Sequence, residues 1–272
     1  SLHDALPILH RENCVAQIST VGECKIYLED FMPYDLMLEE SNDFDKRIKN
    51  AMSFYSWCAS RMIPPDRTYA KEILNSIGAS QSVTDRERAQ IALSYHCLSL
   101  LDVFWVKEEN EKIRFEDINL FAHSLSNALV DIALRGHQMT VTNAHLLAND
   151  LSTGGLYPKA WVRKEDGFYL YKDGGRDAVE REVLASKICR CFDCHQVLYE
   201  QGMFENEPVS ISKIMTSQRY SLVTYAAYDV YCTNHDWNTL DKILELDAPS
   251  YYMMNILDYL VGNTDRHRLH RS

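Results

Sequence analysis

The sequence predicts an α+β protein, with a mostly helical N-terminal region over residues 10–148 and then a lobe built on a small antiparallel sheet over residues 149–272. Three observations carry this. Apolar residues ahead of residue 148 recur at helical spacing. The turn signal Ser152-Thr153-Gly154-Gly155 marks a change of character. Two short runs flanking Asp166-Gly167 read as a β-hairpin.

Composition sets the outer limits. At 272 residues the chain is long enough for two domains, at roughly 150 residues each. It is 46% hydrophobic and 25% charged, ordinary globular values. No run approaches the ~18 apolar residues that a membrane span needs. A net charge of −11 argues against a general nucleic-acid binder, which carries a cationic footprint. Eight scattered Cys without a secretory signal favour reduced thiols in a cytoplasmic protein. Residues 1–9 stand apart. Ser1 to Ile8 looks like the translation of a common sequencing-adapter oligonucleotide, a non-native scar expected to be disordered through about Ile8.

Taken in order, the segment near Cys24 to Leu28 suggests a short strand. A segment beginning near Asp45 is broken by Pro64-Pro65, because proline removes a donor and biases its predecessor away from helix. Asp85 opens a second helix that carries Ile91, Leu93, Leu98 and Leu101. Phe121, Leu125, Leu129 and Ile132 lay an apolar stripe on a third. Trp57, Arg61, Trp105 and Phe115 read as core or interface residues. Beyond the turn signal, Lys159 to Val162 and Phe168 to Lys172 form the hairpin, and Ala178 to Phe192 a helix. Tyr251 to Val261 is a last apolar helix, leading into the polar loop Asn263-Thr264-Asp265-Arg266-His267.

Four places can carry chemistry. Ser152, Thr153, Gly154 and Gly155 suit a phosphate cradle, since glycine lets backbone N–H groups approach an anion and the hydroxyls add donors. A plain hairpin approach would use the same residues. Alternation puts Lys172 on the face of Phe168 and Leu170, an odd place for a solvated lysine but a fitting one for a cation aimed at nucleotide phosphates. Glu182, with Glu180 as fallback, is placed to orient it by ion pairing. Asp265 suits a catalytic carboxylate that orients an attacking hydroxyl, or a simple turn cap. Cys189, Cys191, Cys194 and His195 invite a zinc reading, but at a helix end cysteine is usually a small buried hydrophobe, so no metal ligand is assigned.

Together these segments resemble the HipA-like serine/threonine kinase family, from about residue 25 to His267. Trp57 with Arg61-Met62-Ile63-Pro64 and Arg67 is similar to that family's W…R-x-I-P…R stretch. Ser99 to Val106 is similar to its S-L-x-D-x-Y-W-V, and Phe115 to Phe121 to its W-x-D-I-N-x-F. Ser152 to Trp161 resembles S-T-D-G-x-x-x-K-x-W, and Asn263 to His267 matches N-T-D-R-H. The resemblance implies a kinase N-lobe and the start of a C-lobe over residues 149–272. It implies ATP with magnesium as cofactors of the intact parent, Lys172 on the ATP phosphates, Glu182 supporting it, and Asp265 as catalytic aspartate. Some relatives are toxins neutralised by a small DNA-binding partner, so an antitoxin-like partner is implied by analogy; the protein substrate is not. The sequence also departs from the family. Arg268, Leu269 and His270 stand where Trp, Gly and the magnesium-binding Asn are expected, and no later metal-binding Asp follows. The expectation is therefore a C-terminally truncated, inactive fragment. The alternative is a non-catalytic kinase-like interaction module.

Overall fold

A computed structural model describes residues 5–61, 84–123, 159–204 and 206–263. Among them are six α-helices and two four-stranded antiparallel sheets, so the α+β class holds. The chain divides into two units. One holds residues 1–161 with 216–222, the other residues 162–215 with 223–272.

In the first unit, strands β1 (Leu6–His10), β2 (Asn13–Ile18), β3 (Cys24–Ile26) and β4 (Phe104–Val106) lie in the order β3-β2-β1-β4. The expected disorder through Ile8 is overturned for residues 5–8. β1 is an interior strand, paired to β2 and β4 on its two sides, with Ala5, Ile8 and Leu9 buried. Its apolar side chains share a core with Val15, Ile18 and Trp105, and burial of that area outweighs the tendency of a terminus to fray. This sheet lies partly within the stretch 10–148 that the sequence reads as mostly helical, of which residues 62–83 and 124–148 lie outside the described residues. Strand β3 falls where the sequence suggested one.

Helix α1 (Phe44–Ser60) starts at Asp43, whose side chain accepts from the Lys46 amide at 3.0 Å. Helix α2 (Asp85–Ser94) opens on a Thr84/Glu87 capping box, with Leu98 and Leu101 lying past its end. A short helix α3 covers Phe115–Ile118. The stripe from Leu125 to Ile132 and the Pro64-Pro65 break lie outside the described residues. α1 packs on α2. It is also tied to the β2–β3 turn, where Asn50 donates to the carbonyls of Gly22 and Glu39 at 3.1 and 2.8 Å. Gly22, at φ +78°, leaves no room for a side chain, since a Cβ there would sit 1.8 Å from the Arg47 carbonyl oxygen.

Arg61 closes this core. Its guanidinium makes a two-pronged pair with Asp102 at 2.9 and 2.6 Å and donates to the Phe104 carbonyl at 3.2 Å. It also donates to the Cys97 carbonyl and lies 4.7 Å from the Trp57 ring centroid. Burial disfavours the charge, but Asp102 outweighs burial and holds the Arg61 pKa above its ordinary value. Trp57, Arg61, Trp105 and Phe115 are all buried, as the sequence suggested.

The second unit is built on β5 (Lys159–Lys164, which crosses the boundary at residue 162), β6 (Gly167–Lys172), β7 (Tyr199–Phe204) and β8 (Glu207–Lys213), in the order β5-β6-β8-β7. The hairpin expected around Asp166-Gly167 is present. Helix α4 (Arg176–Cys189) connects β6 to β7 and packs on β7 and β8. Helices α5 (Tyr225–Asn234) and α6 (Thr239–Val261) follow. α6 is two helices joined at Asp247, which has φ −160° and caps the second with its carboxylate on the Ser250 amide at 3.0 Å. Pro249 then sits in a first turn, where its missing N–H costs little. The helix ends at Gly262 in the left-handed region, with the Asn263 amide donating back to the Asp258 carbonyl at 2.8 Å. No described helix is long and apolar enough to cross a membrane.

Candidate functional site

The second unit gathers four polar side chains from three strands and one helix. Lys172 ends β6. Its ammonium donates to the Glu182 carboxylate on α4 at 2.9 Å and to the Tyr199 hydroxyl on β7 at 2.7 Å. The other Glu182 oxygen accepts from the Ser210 hydroxyl on β8. The elements dictate this meeting. Lys172 and Ser210 are cross-strand partners in the β6–β8 ladder, so both point to the same face of the sheet. α4 covers that face, and Glu182 and Ser186, four residues apart, share the side of α4 that faces it. Ser186, itself buried, accepts from the Tyr199 amide at 2.8 Å and pins the start of β7 to the helix.

The node is half open. The Lys172 side chain is 24% exposed and that of Glu182 35%. Burial pulls the Lys172 pKa down, but Tyr199 and Glu182 outweigh it and hold the ammonium above its ordinary value, so it is charged at neutral pH. An ammonium has three donors. Two are taken here, and the third is available to an anionic oxygen.

Of the sequence-predicted residues, Lys172 and Glu182 are brought together. Glu180 is exposed, two residues before Glu182 and so about 200° round α4, on the side away from the lysine. Ser152, Thr153, Gly154, Gly155 and Asp265 lie outside the described residues, which lead up to the polar loop as far as Asn263. The cysteine cluster does not form a buried knot, because Cys191 is exposed and Cys189 and Cys194 are part-buried. The Cys189 thiol is pushed up by burial, then by Cys194 and Asp258. Among the described residues no group of three or more His, Cys, Asp or Glu is placed to hold a metal ion.

Tyr199 and Ser210 were not anticipated from sequence. Short polar strands leave little periodic signal, and only the ladder register shows that both reach the lysine. Compared with protein-family models, with curated proteins and with solved structures, the chain finds no match in any of the three.

Proposed function

We propose that the second unit is the nucleotide-binding lobe of a HipA-like, ATP-dependent serine/threonine kinase. The observation that carries this reading is the Lys172–Glu182 pair at 2.9 Å. It joins a strand-end lysine to the helix that immediately follows its strand. Kinases use this arrangement to hold a lysine on nucleotide phosphates. The strand order β5-β6-β8-β7, with α4 inserted between β6 and β7, supplies the matching frame.

The residues present fit a triphosphate. A charged, partly exposed lysine with a donor to spare can neutralise phosphate oxygens, and the carboxylate behind it fixes its direction. When bound, ATP supplies the phosphoryl group to be transferred. Lys172 would bind and orient it, and Asp265 would position the attacking hydroxyl. Magnesium is different. No described group fits it, and the sequence puts His270 where an oxygen ligand is expected, so no step is assigned through the ion.

The alternative, a non-catalytic kinase-like interaction module, has one observation in its favour. Tyr252, Ile256, Tyr259 and Leu260 form an exposed apolar stripe along α6, of the kind that marks binding surfaces. The test is titration of the 272-residue chain with ATP and magnesium, beside Lys172→Met. Weak binding that the variant loses supports the kinase lobe; equal binding by both overturns it. The reading also expects no measurable phosphate transfer by this chain. Transfer of labelled phosphate that disappears in Asp265→Ala would overturn that expectation.

A further inference from the structure

We infer that Tyr199 is a positioning residue for Lys172, fixing with Glu182 the one direction in which the lysine's remaining N–H can meet an anionic oxygen. The inference rests on the reading of Lys172 as the phosphate-facing cation.

A lysine held by a single carboxylate keeps its ammonium rotor and much of its four-carbon stem free, so its other donors sweep a wide cone. Here a second acceptor, on a different element, removes that freedom. Glu182 Oε1 lies 2.9 Å from Nζ and the Tyr199 hydroxyl 2.7 Å. With two of the three tetrahedral directions occupied, the third is determined.

Both acceptors are themselves held. Ser210 engages the second oxygen of Glu182, so the carboxylate cannot rotate freely. The Tyr199 amide is anchored on Ser186, one helical turn after Glu182 on α4. Tyr199 and Glu182 therefore refer to the same helix face, and any displacement of α4 moves both acceptors together. The ammonium also lies 4.3 Å from the Tyr199 ring centroid, a distance that adds cation–π attraction. A tyrosine that merely filled space would need neither the hydroxyl contact nor the anchored amide.

Tyr199→Phe keeps the ring and removes the acceptor. The experiment uses the full chain carrying 13Cε-labelled lysine, with the Lys172 signal assigned by its loss in Lys172→Arg. Two quantities are read, the Lys172 titration midpoint and the Kd for ATP with magnesium. In Tyr199→Phe the midpoint is expected to fall and the Kd to rise roughly three- to tenfold, the net size of one ordinary hydrogen bond. Tyr199→Gln, which returns a polar acceptor near the same place, is expected to recover part of both. It also serves as the second variant if Tyr199→Phe does not fold. A Tyr199→Phe protein whose Lys172 midpoint and ATP affinity equal those of the parent overturns the inference. If the parent does not bind ATP at all, the kinase reading fails by itself. The Lys172 midpoint then decides the Tyr199 claim, a fall supporting it and no change overturning it.

Discussion

Arg61 in the first unit and Lys172 in the second are both cations held by a carboxylate, and they are built to opposite ends. Around Arg61 the fork of Asp102 and two backbone carbonyls take four of the five guanidinium donors, and Trp57 covers its face. Its side chain is 7% exposed. Around Lys172 the side chain is 24% exposed and one donor is left over. The residue types differ in the same sense. A planar fork satisfies a closed, bidentate site, whereas a point charge on a flexible stem suits a ligand that comes and goes. A buried, saturated pair belongs to the fold; a half-open, unsaturated one can serve a ligand.

The largest effect should come from breaking the closed node. Asp102→Ala leaves the Arg61 charge buried without its partner, and we expect a loss of about 3–5 kcal/mol in urea unfolding followed by tryptophan fluorescence. Replacing both partners, Arg61→Met with Asp102→Leu, should recover much of that loss, because it removes the stranded charge as well as the pair. A single variant that unfolds like the parent would show the node to be dispensable. Next in size is Ile8→Ala in the core of the first sheet, where Ile8 is fully buried. A loss of about 2–4 kcal/mol is expected there. No loss would restore the view that residues 1–9 are an idle appendage.

The open node should behave differently. Lys172→Met is expected to change stability by no more than about 1 kcal/mol, because partial solvation already weakens the pair. The ATP binding proposed for the second unit is nevertheless expected to be lost. The pair's pH dependence has a definite sign. The folded Lys172 pKa lies above its ordinary value, so its contribution is complete below the ordinary lysine range and disappears as pH rises through the folded value. A Lys172→Met protein as unstable as Asp102→Ala would erase the distinction between the two nodes.

Legibility from sequence follows the same division. The hairpin, α4 and the Lys172–Glu182 pair could be read because an Asp-Gly turn, strand alternation and an early helical glutamate are local signals. Choosing Glu182 over Glu180 could not, because α4 is apolar around much of its circumference and only the packed sheet reveals which side faces inward. The first sheet was missed for a physical reason. β3 and β4 have three residues each, too few to establish a period-2 pattern, and β1 pairs with Phe104–Val106 almost a hundred positions away. Trp57, Arg61 and Trp105 were identifiable as core by type, yet nothing local announces that Arg61 and Asp102 meet. Tyr199 and Ser210 depend wholly on ladder register, which no single strand encodes.

The smallest effect concerns a third charged contact, on the β5–β6 turn, which marks the solvated limit of the same series. The Asp166 carboxylate accepts from Lys213 at 2.8 Å and from the Tyr169 hydroxyl at 2.7 Å. The Lys213 hydrogen bond is the main cause, Tyr169 the second, of a pKa lowered to about 2. A depressed carboxylate stabilises the fold above its unfolded pKa, near 3.9, and loses that contribution as pH falls through the folded value. The window is thus between about pH 4 and the Asp166 midpoint of about 2. Lys213 and Asp166 are more than half exposed, so water competes for both groups and holding two long side chains in register costs entropy. Lys213→Met should therefore raise the Asp166 midpoint toward the ordinary carboxylate value, read by carboxyl NMR, while the urea midpoint at neutral pH stays unchanged. A shifted urea midpoint would mean that exposure alone does not separate contacts that hold the fold from those that do not. An unmoved Asp166 midpoint would assign the depression to Tyr169 instead, and Tyr169→Phe would then have to supply the shift that Lys213→Met did not.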